Sequence, residues 1–193
     1  MSCESNGAQR RVPAEERLNV FALVIYLPEP LGRFLDDLRC ELVPRDKPHA
    51  HVSVLPPRPL AVDWEVASEQ VRSLTESWSP FEIELTNIEV FPVTNVIYLE
   101  LGAGAAELRQ LHTAMNSRAL AFHEPFSYHP HVTLAQELTS ADVTSAHATA
   151  CRRWQGYQGK RSFRAERAVF VQNTLHNLWV DLAEYGLGAV VVR

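Results

Sequence analysis

Two short segments of this 193-residue chain each place an imidazole and a hydroxyl two residues apart: His51 and Ser53 in HAHVSVL (49–55), and His131 and Thr133 in HPHVTLA (129–135). Both segments have strand composition, and alternate residues of a strand share a face, so each presents its imidazole and its hydroxyl together. The two histidines are 80 residues apart in the chain. If the segments meet in space, the pair can act from opposite sides of one ligand. An in-line displacement at phosphorus needs that arrangement: one group takes a proton from the attacking oxygen while the other gives one to the departing oxygen. Histidine suits both tasks, because a side chain titrating near pH 6.5 has both forms accessible around neutrality, and each such transfer contributes typically about 10²- to 10⁴-fold. The hydroxyls of Ser53 and Thr133 can donate to the non-bridging phosphate oxygens, where charge is held in the transition state. Nothing in this chemistry requires a metal or an organic cofactor.

Positioning these groups falls to a repeated order of elements. LNVFALVIYL (18–27) reads as a buried strand ended by Pro28 and Pro30, and Leu31, Phe34, Leu35, Leu38 and Leu42 then recur at the spacing of one helix face. About 72 residues on, TNVIYLEL (94–101) is followed by Leu108, Leu111, Met115 and Ala119, and both strands contain the tetrapeptide VIYL. Each unit continues into its histidine strand, an amphipathic helix (Trp64, Ala67, Val71, Leu74 and Trp78; then Val143, Ala146, Ala150 and Trp154) and a hairpin. Thr139 and Asp142 stand in capping-box spacing before the last helix. One strand is expected across SFRAERAVFVQ (162–172), turning near Asn173 into LWVDLAEY. The expected fold class is α+β: two pseudo-symmetric lobes of antiparallel sheet with outer helices and a central cleft that takes the ligand. Residues 1–17 read as a flexible tail and 18–193 as one bilobal domain.

HVSV (51–54) and YHPHVTLA (128–135) resemble the paired H-x-[ST]-hydrophobic motifs of the 2H phosphoesterase superfamily, and most resemble its bacterial 2'-5' RNA ligase-like, or RNA 2',3'-cyclic phosphodiesterase, branch. The resemblance covers the chain from about residue 18 onward. It implies a bilobal fold without metal or cofactor, with His51 and His131 as the acid–base pair and Ser53 and Thr133 as phosphate ligands. The implied reaction opens a 2',3'-cyclic phosphate at a nucleotide or RNA end, leaving the phosphate on the 2' oxygen, or acts on a related 2'-5' linkage. The chain departs from the family pattern in having Ser53 for threonine, and LPPRPL (55–60) where an aromatic and glycine run is more usual. The hydroxyl is kept, so the departure bears on substrate preference.

Further residues are candidates for support or substrate contact. Arg58 offers a two-pronged guanidinium for phosphate or ribose, His49 and His129 precede each catalytic candidate by two residues, and Tyr128 and Phe126 could stack on a base or belong to the core. The pairs His49/His51 and His129/His131 also admit a metal site, although it would leave Ser53 and Thr133 unexplained. A non-catalytic nucleotide- or RNA-binding module is a second alternative. His112, His123, His147 and His176 read as surface or turn residues, and Gly102-Ala103-Gly104 as a plain strand-to-helix turn without P-loop spacing.

Composition narrows the partners. A formal net charge of -5 argues against a grip on extended nucleic acid, which needs many neutralised phosphates, but leaves a terminal phosphate open. Arg10-Arg11, Arg152-Arg153 and Lys160-Arg161 read as solvated surface. No apolar run reaches the roughly 18 residues of a membrane span and the start lacks an apolar leader, so a cytoplasmic protein is expected; a monomer is the working expectation for its assembly. Cys3, Cys40 and Cys151 lack CxxC spacing and are read as reduced thiols.

Overall fold

The computed structural model describes residues 12–44 and 49–188. Cys3, Arg10, Arg11 and most of the expected tail lie outside them; a short 3-10 turn, Ala14–Glu16, leads into the first strand. Strand β1 (Arg17–Tyr26) is followed by α1 (Leu31–Leu42), which turns Leu31, Leu35 and Leu38 inward at three- and four-residue steps. Next come β2 (His51–Arg58), α2 (Trp64–Glu76) and the hairpin of β3 (Phe81–Val90) with β4 (Ile97–Leu101), its turn carrying Asn95 at φ 56°. Helix α3 (Ala105–Met115) and β5 (His131–Ala135) follow. The chain then forms α4 (Ser140–Gly156), β6 (Ser162–Ala165), β7 (Arg167–Thr174) and β8 (Trp179–Gly186). Thr139 is the N-cap of α4 and donates to Asp142 at 2.5 Å. No described helix is long and apolar enough to cross a membrane.

The strands form one antiparallel eight-stranded sheet in the order β6-β3-β4-β5-β2-β1-β7-β8. Its two middle strands are the two histidine strands, and the halves on either side are related by an approximate two-fold. In this relation β1 matches β4, β2 matches β5, and β7 matches β3. The spatial halves are not the sequence repeats. Strand β3, from the first repeat, pairs with β4, and β7, from the second, pairs with β1, so each repeat completes the other's sheet. The single strand expected across 162–172 is corrected to two: the chain breaks at Glu166, so that β6 edges one half on β3 and β7 joins the other on β1.

One face of the sheet is dry. Leu23, Ile25, Val52, Val54, Leu99, Val132 and Leu134 point there and pack with Leu35, Leu38, Val71 and Leu108 of the helices. The opposite face carries the smaller apolar group Ala22, Val24, Val169 and Val171, against which Tyr26 packs. Because strand side chains alternate, burying Val52, Val54 and Val132 forces His51, Ser53, His131 and Thr133 onto that second face.

Cys40 is disulfide-bonded, which corrects its reading as a reduced thiol, whereas Cys151 is free. Spacing along the chain could not disclose a bond that depends on where α1 comes to rest. Gly104 turns β4 into α3 with φ 86°, and a Cβ there would lie 2.5 Å from the Glu82 carbonyl oxygen. Replacement of Gly104 by alanine therefore imposes a left-handed side-chain-bearing residue and a backbone clash. We expect it to lower unfolding free energy by about 2 kcal/mol or more, measured by urea titration.

Candidate functional site

The site forms where β2 meets β5. The strands are antiparallel with Val52 paired to Val132, a register that sets His51 opposite Thr133 and Ser53 opposite His131. His51 and His131 therefore sit diagonally across the seam, on one face of the sheet. All four side chains are half-buried.

Both imidazoles are held in the same way. His51 Nδ1 lies 2.6 Å from the carbonyl oxygen of His49, and His131 Nδ1 lies 2.7 Å from that of His129. A carbonyl oxygen can only accept, so Nδ1 carries the proton in each ring and Nε2 is left as the reactive nitrogen. The neutral ring is then a base at Nε2, and the protonated ring is an acid at the same atom. The contact that His49 and His129 make with these rings is through their backbone carbonyls. Ala50, between the first two histidines, is tied on both sides: its N–H donates to Asp36 at 2.6 Å and its carbonyl accepts from Leu27 at 3.1 Å. In the second motif the same position is Pro130, which has no N–H to satisfy.

Burial pushes His51 from 6.5 down to about 4; the bond to the His49 carbonyl opposes this, while Arg39, His49 and His131 add to it. His131 is also pushed down, by burial and by His129, against its carbonyl bond and the Glu100 carboxylate. Desolvation disfavours the charged ring in both cases.

Each repeat's VIYL tetrapeptide delivers a tyrosine beside its histidine. Tyr26 pairs with His51 across β1 and β2, ring centroids 6.4 Å apart, and Tyr98 lies 5.3 Å from His131. The surroundings then diverge. Tyr26 donates to Asp181 at 2.8 Å, whereas Tyr98 stacks on Phe91 at 3.9 Å and both rings meet His131 edge-on. His129 Nε2 stands 2.8 Å from a Glu100 oxygen. Tyr26, Tyr98, Phe91 and Glu100 escaped the sequence reading, although the repeated tetrapeptide was the available signal for the two tyrosines.

The structure does not bring Arg58 to this face. It lies seven residues beyond His51, roughly 20 Å along an extended strand, and is 2% exposed. Its three nitrogens are engaged by Pro56 O (3.0 Å), Asn116 Oδ1 (2.9 Å), Leu120 O (3.1 Å) and the Glu124 carboxylate. It is a tie beneath the sheet. Tyr128 is likewise engaged, stacked on His112 at 3.8 Å and donating to the Ser53 carbonyl at 2.7 Å, so it braces β2 from the segment before β5. Phe126 is exposed. His112, expected at the surface, is instead buried in α3 and reaches the Val54 carbonyl, while His147 reaches the Ile88 carbonyl and His176 approaches Glu16. Arg152 donates to Thr149 and Arg153 pairs with Glu41, while Arg161 donates to the Trp154 carbonyl. Among the described residues no group of three or more His, Cys, Asp or Glu side chains is placed to hold a metal ion.

Comparison with known proteins agrees with this architecture. Residues 27–177 match the family model of the 2'-5' RNA ligase superfamily. The chain belongs to the 2'-5' RNA ligase superfamily. A candidate phosphoesterase of Bacillus licheniformis is 31% identical over 106 residues, which are 50% of this chain and 62% of that protein. A candidate phosphoesterase of Geobacillus kaustophilus is 23% identical over 137 residues, 66% of this chain and 75% of its own. The chain thus spans about three-fifths of the Bacillus relative's length and three-quarters of the Geobacillus one. Among solved structures, E. coli LigT complexed with 3'-AMP superimposes with TM-score 0.62 at 16% identity, over 90% of this chain and 98% of LigT. A Thermus thermophilus protein does so with TM-score 0.60 at 13% identity, over 89% and 99%. At such identities the likeness is one of fold.

If Arg58 is a buried tie and not a substrate contact, Arg58→Met should strip Glu124 of its guanidinium, leaving His112 Nε2 at 3.6 Å beside it, and cost about 3 kcal/mol of stability. KM of the folded fraction for any accepted phosphodiester should stay unchanged; a raised KM at unchanged stability would return Arg58 to the site.

Proposed function

We propose that the chain is a metal-independent phosphodiesterase that opens 2',3'-cyclic phosphates at nucleotide or RNA ends, or related 2'-5' linkages, by paired-histidine acid–base catalysis. The observation that carries this reading is the two-fold meeting of imidazole and hydroxyl at the β2–β5 seam, with both reactive Nε2 atoms freed by the same backbone bond at Nδ1. Superfamily membership and the phosphoesterase names of the relatives support it. So does the range of ligands with which E. coli LigT has been complexed: 3'-AMP, ATP, NADP+ and phosphate.

In this mechanism His51 and His131 are the catalytic pair, one accepting the proton of the attacking water and the other protonating the ribose oxygen that leaves. Ser53 and Thr133 donate to the non-bridging oxygens, so the charge that gathers there meets donors already in place. Tyr98 and Phe91, stacked beside His131, form an aromatic wall suited to a nucleobase.

Replacing His51 or His131 by alanine should lower kcat on a 2',3'-cyclic nucleotide by about 10²- to 10⁴-fold, and a chelator should leave the wild type unaffected. Unchanged turnover in both variants, or activity abolished by the chelator, would refute the reading.

The rate also depends on pH in a defined direction. One imidazole must be neutral and the other protonated, and both are pushed below 6.5, His51 to about 4. The kcat/KM profile of the free enzyme should therefore be bell-shaped with its maximum on the acid side of pH 6.5. The kcat profile should lie at higher pH, because a bound phosphate anion favours the imidazolium. A profile flat across pH 4 to 7, with chemistry rate-limiting, would count against paired histidines.

A further inference from the structure

Two consecutive carbonyls of β2 are held by side chains from elsewhere in the chain. The Tyr128 hydroxyl donates to the Ser53 carbonyl at 2.7 Å, and His112 Nδ1 donates to the Val54 carbonyl at 2.8 Å. The two rings lie flat on one another, centroids 3.8 Å apart and planes 2° from parallel. The stretch they hold is irregular. Val24 stands opposite Ser53 and Leu23 opposite Leu55, so Val54 is an extra residue, a bulge in β2. Val54 and Leu55 are both fully buried, which strict alternation would not allow. On its other side β2 has little ladder to lean on, since it pairs with β5 at Val52 and Val132 alone. A bulged strand with a single rung at the seam does not by itself fix where the Ser53 side chain points.

We propose that Tyr128 and His112 are positioning residues for the Ser53 hydroxyl: stacked as one unit, they clamp the bulged backbone from the α3 side and fix the phosphate-oxygen donor relative to His131. The inference rests on the reading of Ser53 as a phosphate ligand in a cyclic phosphodiesterase, and adds what holds that ligand in place. Tyr128 lies three residues before His131. Its bond therefore ties the donor of the first motif to the chain that carries the second, across the seam where Ser53 and His131 stand opposite one another. The clamp is itself backed. His112 Nε2 lies 3.6 Å from the Glu124 carboxylate, which the buried Arg58 guanidinium holds. Burial pushes the Tyr128 phenol upward, with Glu124 adding and Arg109 opposing, so its hydroxyl stays a donor. Both rings act through the backbone of Ser53 and Val54, and neither needs to touch substrate. The demand on them is strict, because a reacting group displaced by about 1 Å can cost about 10²-fold in rate.

A double-mutant cycle on turnover of a 2',3'-cyclic nucleotide tests it. Tyr128→Phe keeps the ring stack and removes the hydroxyl. It should lower kcat by about 10-fold and move KM by less than about two-fold, because the Ser53 contact strengthens as charge gathers in the transition state. Ser53→Ala alone should cost about 10²-fold. In the Ser53→Ala background Tyr128→Phe should then cost nothing further, within about two-fold, whereas in a Thr133→Ala background it should cost its full amount of about 10-fold. An equal loss in both backgrounds, or an unchanged kcat in the folded Tyr128→Phe protein, overturns the proposal. His112→Asn keeps a donor near the place of Nδ1 and should retain more turnover than His112→Leu, a difference that should vanish once Ser53 is replaced by alanine. Equal turnover in those two variants removes His112 from the clamp; should His112→Leu fail to fold, the Tyr128 cycle decides alone. Wild-type kcat in Ser53→Ala would be a different failure, that of the phosphate-ligand reading itself.

Discussion

The antiparallel meeting of β2 and β5 at Val52 and Val132 is the constraint on which the histidine site depends. Val52, Val54, Val132 and Leu134 are fully buried beneath the sheet, each contributing roughly 1.5–3 kcal/mol relative to exposure. A slip of one residue in either strand would turn those side chains to water and send the imidazoles into the core, an exchange that costs apolar burial and strands polar groups at once. The placement of the reactive groups is therefore enforced by the apolar residues interleaved with them. The face on which the imidazoles stand is set by packing on the other.

A second layer of control lies in the backbone. Strand alternation selects a face but leaves an imidazole free to rotate and to choose its tautomer. The carbonyls of His49 and His129 remove both freedoms by accepting from Nδ1. Ala50, fastened to Asp36 and Leu27, and Pro130, with its restricted φ, are two local solutions to holding those carbonyls still. Tyr128 extends the bracing across the seam by donating to the Ser53 carbonyl, and Arg58 anchors the far end of β2 to Asn116, Leu120 and Glu124.

Exchange of strands between repeats gives the halves a shared core. Because β3 completes the sheet begun by β4, and β7 the one begun by β1, neither repeat can bury its strands alone. The approximate two-fold is then a property of the folded chain, and the departures from it fall where the site differs electrostatically: Glu100 against Pro28, the stacked Phe91 and Tyr98 against the hydrogen-bonded Tyr26.

The amino-acid sequence by itself determined the elements and the reactive types. Helix-period leucines in 31–42, the alternation in HVSV and HVTL, and the duplicated VIYL are local patterns, and local periodicity decides which face a side chain takes within its own element. The family resemblance drew on the same short-range signals. Tertiary structure alone decided the rest, because each remaining feature joins residues distant in the chain. The break at Glu166 sends one part of its segment to β3 and the other to β1, and Arg58 became a buried tie because Glu124 and Asn116 came to meet it. The bond of Cys40 and the reach of Glu100 to His129 belong to the same class. Spacing reports what a side chain can reach from its own strand or helix; the partners that wait there are chosen only when the sheet closes.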